Sequence, residues 1–385
     1  MLLDVSARAP ATRYRVALWV LLAGKLLGAW GLTWDIQWHL LIGRDSFWIP
    51  PHLMMYGGVT AGLLVAFAVL ALDSVAARRG VRLRGAITLL GLTSTRGVHL
   101  AAWGVALMIL AAPIDDLWHR LFGLDVTLWS PPHLLGLLGS AVNTVGTLLI
   151  ATETYAARSR VRLAALLLGG ALLYGGARVV LEPAWLTAFT RAGVAFHAFA
   201  ILGALVLPLA LVPVTRLIDR RWTPVAIVIV AVGISMLGEQ IARVGFAVVQ
   251  PESVIDDEIR KDPTSPIALA AAIRAKSRGT GLPMAVRLAL PVLAAAVMAA
   301  LDPRRRPIVA GVGYGVALLA LYGWSTSHSP AFAPLVPSAA ETAAALAIAA
   351  LAAVGGALLA RRLADALQPR SGAAAADAAL TSPAR

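Results

Sequence analysis

Two carboxylates and four imidazoles recur in this chain in one pattern. Asp35 is followed by His39 four residues on, and by His52 after Trp48-Ile-Pro50-Pro51; Asp115 is followed by His119, and by His133 after Trp129-Ser-Pro131-Pro132. Gly43 and Asp45 match Gly123 and Asp125 between these ends, and the second copy carries one extra residue before its Trp. Four of the seven histidines therefore sit in the two copies. One carboxylate with two imidazoles can hold Cu(II), Zn(II) or non-haem Fe(II) and leave positions open for water or substrate, so each set is a candidate metal site. A single Asp–His pair at a helix end can be no more than a hydrogen bond. The same residue types in the same order, twice, point to a metal. The chain has no cysteine, which excludes disulfides, thiolate-bound metals, iron–sulfur clusters and covalently attached haem.

The elements needed to gather these groups follow from the spacing. Residues at i and i+4 on a helix face the same way, so Asp35 and His39 project together, as do Asp115 and His119. Pro50-Pro51 and Pro131-Pro132 force an extended approach and preset the start of a new helix at His52 and His133. An antiparallel neighbour joined by a short loop returns the second imidazole to the first pair. Trp38, Trp48, Trp118 and Trp129 are expected to wall the sites and anchor them at a membrane interface.

Those helices lie in a membrane. The 385 residues are 59% hydrophobic and 14% charged, and apolar runs of about twenty residues recur along most of the chain. The fold class is therefore all-α: a polytopic helical membrane protein with about ten spans. The two copies make an internal parallel repeat of two-helix units, with a period of about eighty residues. Residues 1–13 read as a cytoplasmic arm, 14–157 as the tandem repeat, 158–365 as the remaining bundle and 366–385 as a disordered tail. Spans are expected near 14–34, 52–72, 96–114, 133–151, 163–181, 193–215, 223–248, 283–301, 307–325 and 338–360. The first apolar run has no cleavage signature, so it is expected to remain as an anchor.

The net charge of +13 comes from thirty Arg and three Lys, clustered between apolar runs. They read as topology determinants of a bacterial-type inner membrane rather than as a nucleic-acid footprint. Both termini are expected in the cytoplasm and the triads on the outer face. Segment 85–95 is apolar but short and reads as a re-entrant or interfacial piece. Residues 251–282 read as a mixed-charge outer loop.

The layout Asp-x3-His-x12-His, then the same with x13, resembles the C subunit of the copper membrane monooxygenases, the particulate methane and ammonia monooxygenase group. The resemblance covers about 30–140. It implies copper held by Asp35, His39 and His52 in one site. It implies a neighbouring site at Asp115, His119 and His133, where the family has Asn in place of Asp115. It further implies other membrane subunits or a homo-oligomer as partners, besides the bilayer. The activity implied is copper-dependent oxidation of a small apolar or amine-like substrate by O2, by this chain or by a complex containing it. A non-catalytic copper carrier and a zinc-dependent membrane hydrolase, with a carboxylate as base, use the same residues.

Other polar groups have simpler roles. Lys25, inside the first span, reads as a counter-ion or part of a polar track. Glu239 and Arg243 are spaced to pair with each other. His99 and His197 read as lone core histidines, and His328, on the outer side after the ninth span, more readily as a group outside the triads than as an extra ligand. Asp45 and Asp125 read as acceptors orienting a ligand or as helix caps, and Asp116 as a solvated neighbour.

Overall fold

A computed structural model describes residues 5–43, 46–122, 128–277 and 281–368. Asp45, Asp125 and most of the tail lie outside the described residues. The chain forms α1 (Val5–Leu41), α2 (Pro50–Arg78), β1 (Ala86–Leu89), β2 (Leu92–Thr95), α3 (Arg96–Phe122) and α4 (Pro131–Thr154). There follow α5 (Arg160–Val180), α6 (Pro183–Arg191), α7 (Ala198–Val206), α8 (Pro208–Ile218) and α9 (Thr223–Val249). The last elements are α10 (Ile255–Lys261), α11 (Pro266–Lys276), α12 (Met284–Ala300), α13 (Pro307–Ser327) and α14 (Ala339–Leu367).

Nine helical segments among the described residues are long and apolar enough to cross a membrane, so the protein is an all-α polytopic membrane protein. The tenth expected span is α12, which is apolar but has only 17 residues and contains Pro291. At 1.5 Å per residue it is about 26 Å long, slightly short of a hydrocarbon core of about 30 Å.

The repeat is built from two helix pairs, α1 with α2 and α3 with α4, and small residues let each pair cross closely. A Cβ on Gly24 would lie 2.7 Å from the Gly58 carbonyl oxygen, and a Cβ on Gly139 would lie 2.7 Å from that of Gly104. Gly24 and Gly104 are offset by the same eighty residues as Asp35 and Asp115, and Gly58 and Gly139 by the same eighty-one as His52 and His133. The crossing is thus duplicated with the ligands. Without a hydrophobic force between helices in lipid, such contacts hold the pair by close packing. Lys25 ties the two units together: its Nζ donates to the Ser140 carbonyl at 2.8 Å and lies 3.1 Å from its hydroxyl, not to a carboxylate.

Two segments differ from the sequence expectation. Residues 86–95 form a β-hairpin, Ala86 opposite Thr95 and Leu89 opposite Leu92, turning at Leu90-Gly91, both at positive φ. It is anchored by buried Asp73, which accepts from the Tyr14 hydroxyl at 2.7 Å, bonds Ser94 and pairs with Arg13. The segment expected to be a loop at 251–282 contains α10 and α11. It docks on the end of α1: Val254 N–H donates to the Ile42 carbonyl at 2.8 Å, the Ser253 hydroxyl to Leu41 at 2.7 Å, and Arg274 to Leu40 at 2.5 Å. These donors occupy carbonyls that a helix end leaves without partners.

Candidate metal centres

Each triad is assembled by the local structure the spacing implies. Asp35 and His39 lie near the end of α1, and the chain returns through Ile49, extended at φ −66° and ψ 149°, into Pro50 at the first turn of α2. In the second unit Ser130 has nearly the same backbone, φ −75° and ψ 150°, before Pro131 of α4. His52 and His133 are the third residues of their helices and swing back over the preceding pair.

The atoms converge. In the first triad Asp35 Oδ1 lies 3.1 Å from His52 Nε2 and 3.7 Å from His39 Nε2. In the second, Asp115 Oδ1 lies 3.4 Å from His133 Nε2, and Asp115 Oδ2 lies 3.4 Å from His119 Nε2. In each set one ligand atom per residue falls within 4.8 Å of the others. Metal–nitrogen and metal–oxygen bonds of about 2.0–2.2 Å at tetrahedral angles place ligand atoms about 3.3 Å apart, so these spacings fit one shared ion. Oδ1 of Asp35 and Oδ1 of Asp115 are buried and make no hydrogen bond despite facing imidazoles. A buried carboxylate oxygen without a donor is costly, and a cation shared with two ring nitrogens removes that cost. Both sets of three predicted ligands are therefore brought together.

Their surroundings differ. The first triad lies against a buried cluster of Trp34, Trp38, Ile42, Ile49 and Ala242. Trp38 stacks on Phe246 of α9 at 5.7 Å, and Gly245 leaves room for the Trp34 ring. The second triad has no comparable buried aromatic cluster among the described residues: Trp118 is half-buried beside Phe122, at 4.4 Å. Trp129 Nε1 donates to the Val180 carbonyl at 2.7 Å, tying this loop to α5. Trp48 is 70% exposed and walls nothing, because the loop turns it outward. Trp34 was missed; it precedes Trp38 by four residues and so shares its helix face, which was the available signal.

The remaining candidates stand apart from the triads. Glu239 and Arg243 are exposed and form no ion pair with each other; with Gln37, Leu41 and Phe246 they line a recess of about 410 Å³ between α1 and α9. The expected pairing is absent, and both residues line this recess. His99 is a bonded core histidine, Nε2 lying 3.2 Å from the Ile87 carbonyl and Nδ1 accepting from Trp103 at 3.3 Å. His197 is buried on Gly323. His328 Nδ1 turns to the carbonyl of Trp324 on its own helix at 2.8 Å and belongs to neither cluster. Asp116 pairs with Arg120 at 2.7 Å on the surface.

Comparison of the chain with family models, characterised proteins and solved structures returns no match in any of the three.

Proposed function

We propose that this is a membrane metalloprotein that binds one copper ion at Asp35, His39 and His52 and a second at Asp115, His119 and His133. On this reading it works as a copper-dependent oxidase or monooxygenase, or as a subunit of one, similar to the C subunit of the copper membrane monooxygenases. The supporting observation is that two triads of the same type, in the same order, both bring a buried carboxylate oxygen without a hydrogen bond against imidazole nitrogens. Two nitrogens and one oxygen suit Cu(II), which such sites bind most tightly among the divalent first-row ions.

The protein groups have distinct tasks. Each Asp offsets part of the ion's charge, and the paired imidazoles fix its position with open coordination sites left. Trp34, Trp38 and Phe246 shield the first centre from water on the α9 side. Copper, when bound, would supply reversible one-electron redox chemistry and open positions for O2.

Electron paramagnetic resonance of the protein loaded with one Cu(II) equivalent per chain tests the donor set. Hyperfine splitting from two nitrogens is expected, and it should collapse when His39→Ala and His119→Ala are combined. A spectrum of free aqueous copper, or one unchanged by that double substitution, overturns the assignment.

A further inference from the structure

At the end of the bundle opposite the triads, the turn between α4 and α5 meets the end of α8 around a recess of about 80 Å³. Four arginines line it: Arg158 from the turn, Arg160 and Arg162 from the first turn of α5, and Arg220 just beyond α8. None of the four forms an ion pair among the described residues, whereas neighbouring Arg216 pairs with Asp365 at 2.6 Å and Arg304 with Asp219 at 3.3 Å. No carboxylate lines the recess. Arg162 is half-buried, and its Nε is buried without a hydrogen bond, so the chain supplies too few acceptors for its own guanidinium groups here. Four like charges around one hollow repel one another, and a hollow of that sign attracts an anion.

The backbone adds to the attraction. Ser159 caps α5, its hydroxyl accepting from the Arg162 N–H at 3.5 Å, so the first turn of a 21-residue helix lies at the recess. The N–H groups of that turn and the positive end of the helix dipole favour negative charge there. The floor is of the opposite character: Leu163, Leu166, Leu217 and Ile218, of which Leu166 and Leu217 are buried. A cationic rim over an apolar floor suits a phosphate that carries hydrocarbon better than a free ion, which would leave the floor in contact with water. Three apolar spans end at this recess, at Thr154, Arg160 and Ile218, which is the level at which lipid headgroups lie. Exposed Trp222, with the Arg221 guanidinium 5.1 Å from its ring, marks the same level. The volume admits a phosphate-sized group and not a drug-sized body, which needs about 300 Å³ or more.

We propose that Arg158, Arg160, Arg162 and Arg220 bind the phosphate of an anionic membrane lipid. The phosphate oxygens take guanidinium N–H groups, whose planar fork matches them, and the glycerol and upper chains lie over the leucines. A zwitterionic headgroup brings a cation to a rim that has no carboxylate for it, so a lipid of net negative charge binds more tightly. The site needs no metal and is independent of the function proposed above.

Native mass spectrometry of the full chain in detergent tests this, with titration of phosphatidylglycerol or phosphatidylcholine of the same acyl chains. A single phosphatidylglycerol should be retained about tenfold more tightly than phosphatidylcholine. Arg158→Gln combined with Arg220→Gln, and separately Arg162→Gln, should each weaken that retention about tenfold. Removing three exposed charges at the same end but outside the recess, by Arg78→Gln, Arg79→Gln and Arg82→Gln together, should leave it unchanged. Potassium phosphate should displace no more lipid than potassium chloride at equal ionic strength. Because Arg162 is half-buried, the exposed pair Arg158 and Arg220 decides the matter if Arg162→Gln fails to fold. Equal retention of the two lipids, wild-type retention in the exposed pair, or an equal loss in the Arg78, Arg79 and Arg82 variant overturns the proposal. Displacement by phosphate beyond the chloride control overturns it too, assigning the recess to free phosphate.

Discussion

The two triads share residue types and the extended backbone just before each Pro-Pro pair but differ in what surrounds them. The first borrows its surroundings from the far end of the chain: α9 supplies Phe246 and Gly245 against Trp34 and Trp38, and the 251–277 segment caps α1. The second has Asp115 at 30% side-chain exposure, against 12% for Asp35. It keeps the helix crossing that both units share without an aromatic sheath of that kind among the described residues. There Gly97, Gly104, Gly139 and Gly146 each abut backbone of the partner helix, whereas Gly24, Gly31 and Gly58 do so in the first unit. A duplicated triad thus keeps its residues while its surroundings diverge, so the Asp–His–His arrangement is separable from any one sheath.

Substitutions can break that contrast in order of size. The largest effect is expected from Gly139→Val, whose side chain meets the Gly104 carbonyl and the Met108 amide. Backbone cannot yield as a flexible side chain does, so the α3–α4 crossing should open at a cost of about 3 kcal/mol or more, at or above the usual range for overpacking. Gly136→Val, with only Ala111 Cβ at 3.6 Å, should be tolerated; thermal unfolding in detergent compares the two. Equal loss in both would show that the crossing is not what holds the second unit.

Next in size is the sheath. Trp38→Ala removes a ring that is 5% exposed and should cost about 3–5 kcal/mol, whereas Trp118→Ala, half-buried, should cost about 1 kcal/mol or less. Copper dissociation rates should rise at the first site alone in Trp38→Ala, as read by chelator competition. A matching rise for Trp118→Ala would erase the distinction between the sites. The smallest change is Asp115→Asn, which keeps an oxygen ligand and removes one charge. It should weaken copper at the second site by about tenfold, equivalent to about 1.4 kcal/mol, and leave the first untouched. Isothermal titration checks it, and an unchanged affinity would mean that the Asp115 charge does not contribute to holding the ion.

The convergence of the two Asp–His–His groups and the nine long spans were legible because each is local: an i, i+4 pair, a Pro-Pro helix start and runs of apolar residues. The hairpin at 86–95 was not, because its apolar residues mask the alternation and its anchor, Asp73, lies in a different element. Helices α10 and α11 were read as loop because α10 is highly charged and α11, though Ala-rich, has only 11 residues, too few to span; docking on the end of α1 positions them. The matched glycines at 24 and 104, and at 58 and 139, were present in the repeat. Their meaning emerges only once the helices cross.

The central claim is that both triads hold metal. Metal analysis by mass spectrometry of copper-loaded protein in lipid tests it most directly, with wild type beside Asp35→Ala/His39→Ala and Asp115→Ala/His119→Ala. The account predicts about two coppers per chain, falling to about one in each variant, as expected where each ion depends on its own ligands. No stoichiometric metal after copper and zinc loading, or a loss of both ions in either variant, would contradict two independent centres.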